Sequence, residues 1–187
     1  MLKTLLLILI GLVLAAIIAW GWSRLFSFDA QKIEDYASTE PTFDVRTVLN
    51  GKMLTEGMIY SFNGRVSSRF TAEMRANWNG NTGLMSEDFT YATGRTQHRE
   101  WTITMGENGA FTATAPDIEG IAQGQQMGAA ARLTYTLILP EDAGGHKLDV
   151  VDWMYLMENG TVMNRSEFRK FGIKVAELIA TFRQVAE

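Results

Sequence analysis

The chain contains no cysteine. That absence removes disulfides, thiolate metal sites, cysteine nucleophiles and lipidation at a cysteine together. Histidine is almost as scarce, with only His98 and His146. His98 and Glu100 form an HxE sequence, but they alternate onto the outer face of a strand and no cysteine pair follows, so the zinc-deaminase pattern fails. No serine stands in a GxSxG elbow. Gly120, Gly124 and Gly128 recur every fourth residue without the Lys-Ser/Thr of a phosphate loop and without a GxGxxG turn. A bulged strand or a mobile rim through which a ligand enters is expected there instead. The net charge of −4, with no basic block and no aromatics interleaved with arginines, excludes ordinary nucleic-acid binding. No metal and no cofactor is implied.

What the chain does have begins with an apolar run over residues 5–22, LLLILIGLVLAAIIAWGW. A run of 18 to 20 such residues, at about 1.5 Å each, spans most of a hydrocarbon core of about 30 Å. Trp20 and Trp22 stand where indoles favour the headgroup layer. Lys3 precedes the run, and Arg24 after it is diluted by Asp29, Glu34 and Asp35. The run therefore predicts a single-pass inner-membrane anchor over residues 1–25, with the rest of the chain facing the periplasm. A signal peptide cut near Ala19 and Gly21 competes with this reading. Residues 26–42 are expected to be a tether with a short helical turn in QKIEDYA, and residues 43–187 a β-domain opening at Phe43 and Val45.

The domain is punctuated by Asn-Gly at Asn63-Gly64, Asn79-Gly80, Asn108-Gly109 and Asn159-Gly160, the strongest short-range hairpin signal. Between turns the residues alternate. Val66, Ser68, Phe70, Ala72, Met74, Ala76 and Trp78 form one face of a strand, and the polar residues between them form the other. Similar strands are predicted near 55–62, 84–92, 96–105, 110–115, 130–139, 147–157, 161–166 and 173–183, with one short helix around 166–171. The fold class is all-β, an antiparallel meander closed or nearly closed into a barrel, because closure removes exposed edges.

Two hairpins carry chemistry. In the first, Met85, Glu87, Phe89 and Tyr91 share an inward face with Gln97, Arg99, Trp101, Ile103 and Met105. A Thr93-Gly94-Arg95 loop sets Glu87 opposite Trp101 and diagonal to Arg99, a buried carboxylate–guanidinium pair. The pair is either a ligand clamp or an ion pair fixing register. In the second, a Glu158-Asn159-Gly160 loop sets Trp153 opposite Arg165 and Tyr155 opposite Met163. Trp153 and Arg165 then form a cation–π contact, and Asp152 lies on the other face near Arg169 or Lys170. Trp153, Tyr155 and Arg165 are candidate walls of a ligand site, or simply a well-filled aromatic hairpin.

Taken in order, Arg69-Phe70, Trp78-Asn79-Gly80, EDFTY at 87–91, REW at 99–101, APDIEGIAQG at 115–124, DWMYLM at 152–157, Asn164-Arg165 and KFG at 170–172 resemble the proteobacterial family called domain of unknown function 3833. The likeness covers nearly everything after about residue 36. It implies an envelope protein with a calycin- or lipocalin-like barrel and a role linked to fatty-acid modification. Members often carry a lipobox cysteine that this chain lacks, and an acidic turn before REW is replaced here by Ala92-Thr93-Gly94-Arg95.

Three functions remain open. The first is a barrel that binds a lipid or acyl chain, with Glu87 and Arg99 orienting a head group among Trp101 and Tyr91. The second is a structural partner in an envelope complex, with a solid core. The third is an enzyme on lipid using Glu87 as acid/base and Arg99 as charge stabiliser.

Overall fold

A computed structural model describes residues 2–25 and 27–185, with side chains described at all of these except 19, 20, 23, 24, 29 and 142. Helix α1 (Leu2–Leu25) is followed by two 3-10 turns, Phe28–Ala30 and Ile33–Tyr36, and by the single turn α2 (Val45–Val48). Ten strands then run in sequence: β1 (Gly51–Ser61), β2 (Val66–Asn79), β3 (Thr82–Tyr91), β4 (Thr96–Met105), β5 (Ala110–Thr114), β6 (Ile118–Met127), β7 (Ala130–Ile138), β8 (Lys147–Leu156), β9 (Val162–Lys170) and β10 (Ile173–Gln184). Every neighbour pair is antiparallel, and β1 closes on β10. The meander is therefore a closed barrel, which leaves no sheet edge unpaired.

The two ends of the barrel differ. At one end the chain enters through Phe43, Val45 and Leu49, all buried, and α2 lies across the opening. Trp78 Nε1 donates to the Leu49 carbonyl at 2.7 Å, and Gln184 Nε2 reaches the Thr47 carbonyl at 2.8 Å, fixing this plug to both sides of the barrel seam. Phe43, Val45, Leu49, Met53, Met74 and Met105 form the core beneath it. The other end is ringed by the β1–β2, β3–β4, β5–β6, β7–β8 and β9–β10 connections.

Residues 28–36 form a strap on the outer wall. Phe28 and Ile33 are buried against Trp153 and Ala130, with Tyr36 over the same patch. Tyr36 and Tyr155 both donate their hydroxyls to Gln31 Oε1, at 2.6 and 2.8 Å. Thr39 Oγ1 accepts the Ala129 N–H, and the Phe43 N–H reaches the Gly128 carbonyl at 2.7 Å.

The structure corrects several expectations. Among the described residues no helix is long and apolar enough to cross a membrane, which overturns the single-pass inner-membrane placement with a periplasm-facing domain. Within α1 the unbroken apolar run with described side chains covers residues 5–18, about 20 Å of rise against a hydrocarbon core of about 30 Å. The side chains of Ala19, Trp20 and Arg24, on which the anchor and cleavage readings also drew, lie outside the described residues. The helix expected over 166–171 is instead the second half of β9. Asn164, Ser166 and Phe168 point one way while Arg165, Glu167 and Arg169 point the other, a period of two that fits only a strand. The glycine-rich segment is the bulged strand β6, its register slipping between Glu119 and Gln123 around Gly120, whose φ is 70°.

Candidate functional site

Inside the barrel lies a cavity of about 560 Å³, open towards the β3–β4 and β7–β8 connections. Most of its wall is apolar, as the alternating strands dictate. Phe70, Phe89 and Tyr91 gather near the mouth, with Phe70–Phe89 centroids 5.4 Å apart, edge to face. Deeper in, the wall turns polar on one side.

Glu87 on β3 faces Arg99 directly, and Trp101 stands opposite Met85. The chain turns over residues 92–94, with the Tyr91 N–H donating to the Arg95 carbonyl at 2.9 Å. This loop lies one residue earlier than expected, which moves each partner by two positions and leaves every side chain on its face. Glu87 does not hydrogen-bond Arg99. Its Oε2 accepts the Trp101 indole N–H at 3.2 Å, while Arg99 Nε donates to Asp117 Oδ1 at 3.0 Å. Asp117 comes from the β5–β6 connection, which hairpin pairing alone could not place. The Arg99 guanidinium lies 4.3 Å from the Trp101 ring centroid and 5.6 Å from that of Tyr135 on β7. One of its nitrogens, Nη2, is buried and makes no hydrogen bond.

On the facing wall Asp152 also lines the cavity. Its Oδ1 accepts from Ser166 Oγ at 2.8 Å and from Asn164 Nδ2. Burial raises Glu87 above the ordinary carboxylate range, against the pull of Arg99 and the Trp101 hydrogen bond. Burial likewise raises Asp152 to about 6, against the hydrogen bonds from Asn164 and Ser166. The Tyr135 phenol is pushed up by the same cause. The Arg99–Asp117 ion pair thus lies in the polar part of the wall, with Glu87 and Asp152 also on the cavity lining. Among the described residues no group of His, Cys, Asp and Glu is gathered to hold a metal ion.

Of the residues singled out from sequence, the structure brings together Glu87, Arg99, Trp101 and Tyr91 on the cavity wall. Trp153, Tyr155 and Arg165 are not with them. The pairings expected of their hairpin hold, with Trp153 opposite Arg165 and Tyr155 opposite Met163. Its faces are reversed. Trp153 is buried on the outer wall under Tyr36, with ring centroids 5.4 Å apart, and Arg165 stacks 4.6 Å from the Phe28 ring centroid. Asp152, assigned outward, therefore points in and pairs with neither Arg169 nor Lys170. Asp117, Tyr135, Asp152, Asn164 and Ser166 were missed. Tyr135 had a signal, since it shares parity with the inward Leu133 and Leu137.

A closed up-and-down barrel, plugged at one end and hollow beneath the other, is a calycin-like architecture. Residues 22–184 match the family described as protein of unknown function (DUF3833), and the chain belongs to that family. No curated protein matches. Among solved structures, an S-type phycobiliprotein lyase, CPES, from Guillardia theta aligns with TM-score 0.58 at 7% identity, over 84% of this chain and 99% of that one. A protein of unknown function from the DUF3598 family of Nostoc punctiforme aligns with TM-score 0.55 at 11% identity, over 78% of this chain. The chain spans about half, 51%, of that protein's length. At these identities the likeness is one of fold.

Proposed function

We propose that the barrel is a carrier for a small apolar molecule, such as an acyl chain, whose polar head is uncharged. The observation that carries this reading is the unpartnered, buried Arg99 Nη2 on the wall of a hollow interior. A buried donor without an acceptor costs about 1–3 kcal/mol, so a ligand oxygen placed there is favoured. The cavity falls within the roughly 300–1,000 Å³ usual for ligand pockets. Its size also argues against the solid-core reading of a purely structural barrel.

Charge decides the head group. Arg99 is already neutralised by Asp117, and Glu87 and Asp152 flank it. A carboxylate entering would add a further negative charge beside Asp117 and Asp152. A carbonyl, ester, amide or hydroxyl accepts from Nη2 without that repulsion. One barrel of this shape is named a phycobiliprotein lyase, which supports occupancy by a small molecule and lends no residue to a reaction here.

The test is displacement of a fluorescent apolar probe by a long-chain alcohol or amide and by the matching fatty acid at pH 7.5 and 5. The uncharged ligands should compete at both pH values and the acid chiefly at the lower. Tighter binding of the ionised acid at pH 7.5, or failure of every ligand to compete together with no co-purifying small molecule by mass spectrometry, rejects the reading.

A further inference from the structure

The open rim of the barrel is divided by charge. Going round it, the β9–β10, β1–β2 and β3–β4 hairpins are consecutive. Over residues 169–174, 61–69 and 91–96 they carry Arg169, Lys170, Lys174, Arg65, Arg69 and Arg95, and no Asp or Glu. The two remaining connections carry Asp117 and Glu141 instead. In a chain of net charge −4 this is a local reversal of sign. Arg169 and Lys174 are engaged by Glu167 and Glu177, so Arg65, Arg69, Arg95 and Lys170 set the outward field.

The same half of the rim presents apolar tips. Phe171 is 91% exposed, Phe62 75%, Ile173 70% and Val66 48%. Phe171 and Gly172 form a two-residue turn with φ of 52° and 76°, the geometry for which Asn-Gly is favoured. Elsewhere the chain meets that geometry with Asn108-Gly109, at 53° and 78°. A bulky side chain at positive φ is strained, and this one gains no burial within the protein. Its apolar surface is offered outward, with the Lys170 amine 5.7 Å from the ring centroid.

We infer that this half of the rim docks the cavity mouth onto an anionic lipid surface. The tips are convex and separate, which suits insertion into a soft interface rather than the seating of a folded partner. Phenylalanines enter the headgroup boundary while long basic stems reach lipid phosphates. No spanning helix is needed. The inference goes beyond the carrier reading and stands on the rim alone, whatever the cavity holds.

Exposed apolar side chains on α1 would confound simple vesicle pull-down, so the readout must be local. The absence of cysteine permits it. Phe171→Cys in the full chain, labelled with an environment-sensitive fluorophore, reports the β9–β10 tip, and Asn159→Cys reports the plugged end. With phosphatidylcholine vesicles containing about 30% phosphatidylglycerol, emission at 171 should rise several-fold and shift to the blue, fall in high salt and stay low with neutral vesicles. Position 159 should stay silent. Arg65→Glu combined with Lys170→Glu should cut the response at least about tenfold. Equal responses to neutral and anionic vesicles, silence at 171, or a response to heparin but not to vesicles overturns the assignment. Any of these leaves the ligand-displacement result untouched, so the two readings fail separately.

Discussion

Asp152 ties the stability of this barrel to pH. Its carboxyl is raised by burial to about 6 from an ordinary 3.8. The folded protein thus holds this proton more tightly than the unfolded chain does. The stability Asp152 allows is full below its unfolded pKa near 4, declines as pH rises towards 6, and stays low above that. Two pH units correspond to about 3 kcal/mol, and water in an open cavity reduces this. Asp152→Asn keeps an oxygen for Ser166 and Asn164. It should therefore be more stable than the parent by roughly 1–3 kcal/mol at pH 7.5 and scarcely different at pH 4, read by urea unfolding at both. An equal difference at the two pH values would place the effect in packing instead. Arg99 should behave oppositely. Arg99→Met leaves Asp117 facing Glu87 without a cation and should lose about 1–3 kcal/mol, most of it recovered when Asp117→Asn is added. A double variant no better than the single one would show that the guanidinium acts by stacking on Trp101. Parity in β3 and β4 was enough to put Glu87 and Arg99 inside, since strict alternation with Met85, Phe89, Trp101 and Ile103 admits one register face. It could not reveal Asp117, which arrives from a connection, or the fact that Arg99 donates to it rather than to Glu87.

The wall elements show why the terminal hairpin was misread. A strand in a half-wet sheet announces its inner face by its apolar residues. In β8 and β9 both faces are apolar in part, because the outer one is covered by residues 28–36. Trp153 and Tyr155 serve the strap, and Met154 and Leu148 line the interior. Nothing in the hairpin itself says which is which; the information lies more than a hundred residues upstream, in Phe28, Ile33 and Tyr36. The glycines of β6 record the same arrangement. A Cβ at Gly124 would stand 2.3 Å from the Phe111 ring, and one at Gly128, where φ is 51°, would stand 1.8 Å from the Tyr36 carbonyl. Their four-residue spacing is thus a coincidence of separate demands, and only the bulge at Gly120 was legible from sequence. Gly128→Ala should lift the strap and cost about 3 kcal/mol or more, through both the clash and the positive φ. Faster tryptic cleavage after Lys32 would report the lifting. Gln31→Ala removes the acceptor shared by two half-buried hydroxyls and should cost about 1–2 kcal/mol with the barrel intact. Unchanged proteolysis in both variants would mean that the strap adds little to holding the chain down.

At the scale of the whole molecule, the antiparallel meander was readable from its turns and closure was expected because a barrel leaves no exposed edge, but the polarity of the barrel was not legible. The plug depends on Phe43, Val45 and Leu49 entering beneath β1 and on Trp78 reaching across to the Leu49 carbonyl. That contact spans 29 positions. With one end shut, a ligand has a single way in and out, past Thr93, Arg95 and Ala143 at the mouth. Kinetics should therefore separate the two ends. Thr93→Trp narrows the mouth at an exposed position and adds no contact deep in the cavity. It should slow both association and dissociation of an apolar probe by about tenfold, leaving Kd within a factor of about three, because a barrier common to both directions cancels at equilibrium. Trp78→Phe frees the plug's carbonyl and should lower stability by about 1–2 kcal/mol. While the protein stays folded, its exchange rates should be close to the parent's. Stopped-flow fluorescence on the three proteins decides the matter. If Trp78→Phe speeds exchange and Thr93→Trp does not slow it, ligands pass through the plugged end, and the open rim has some other use.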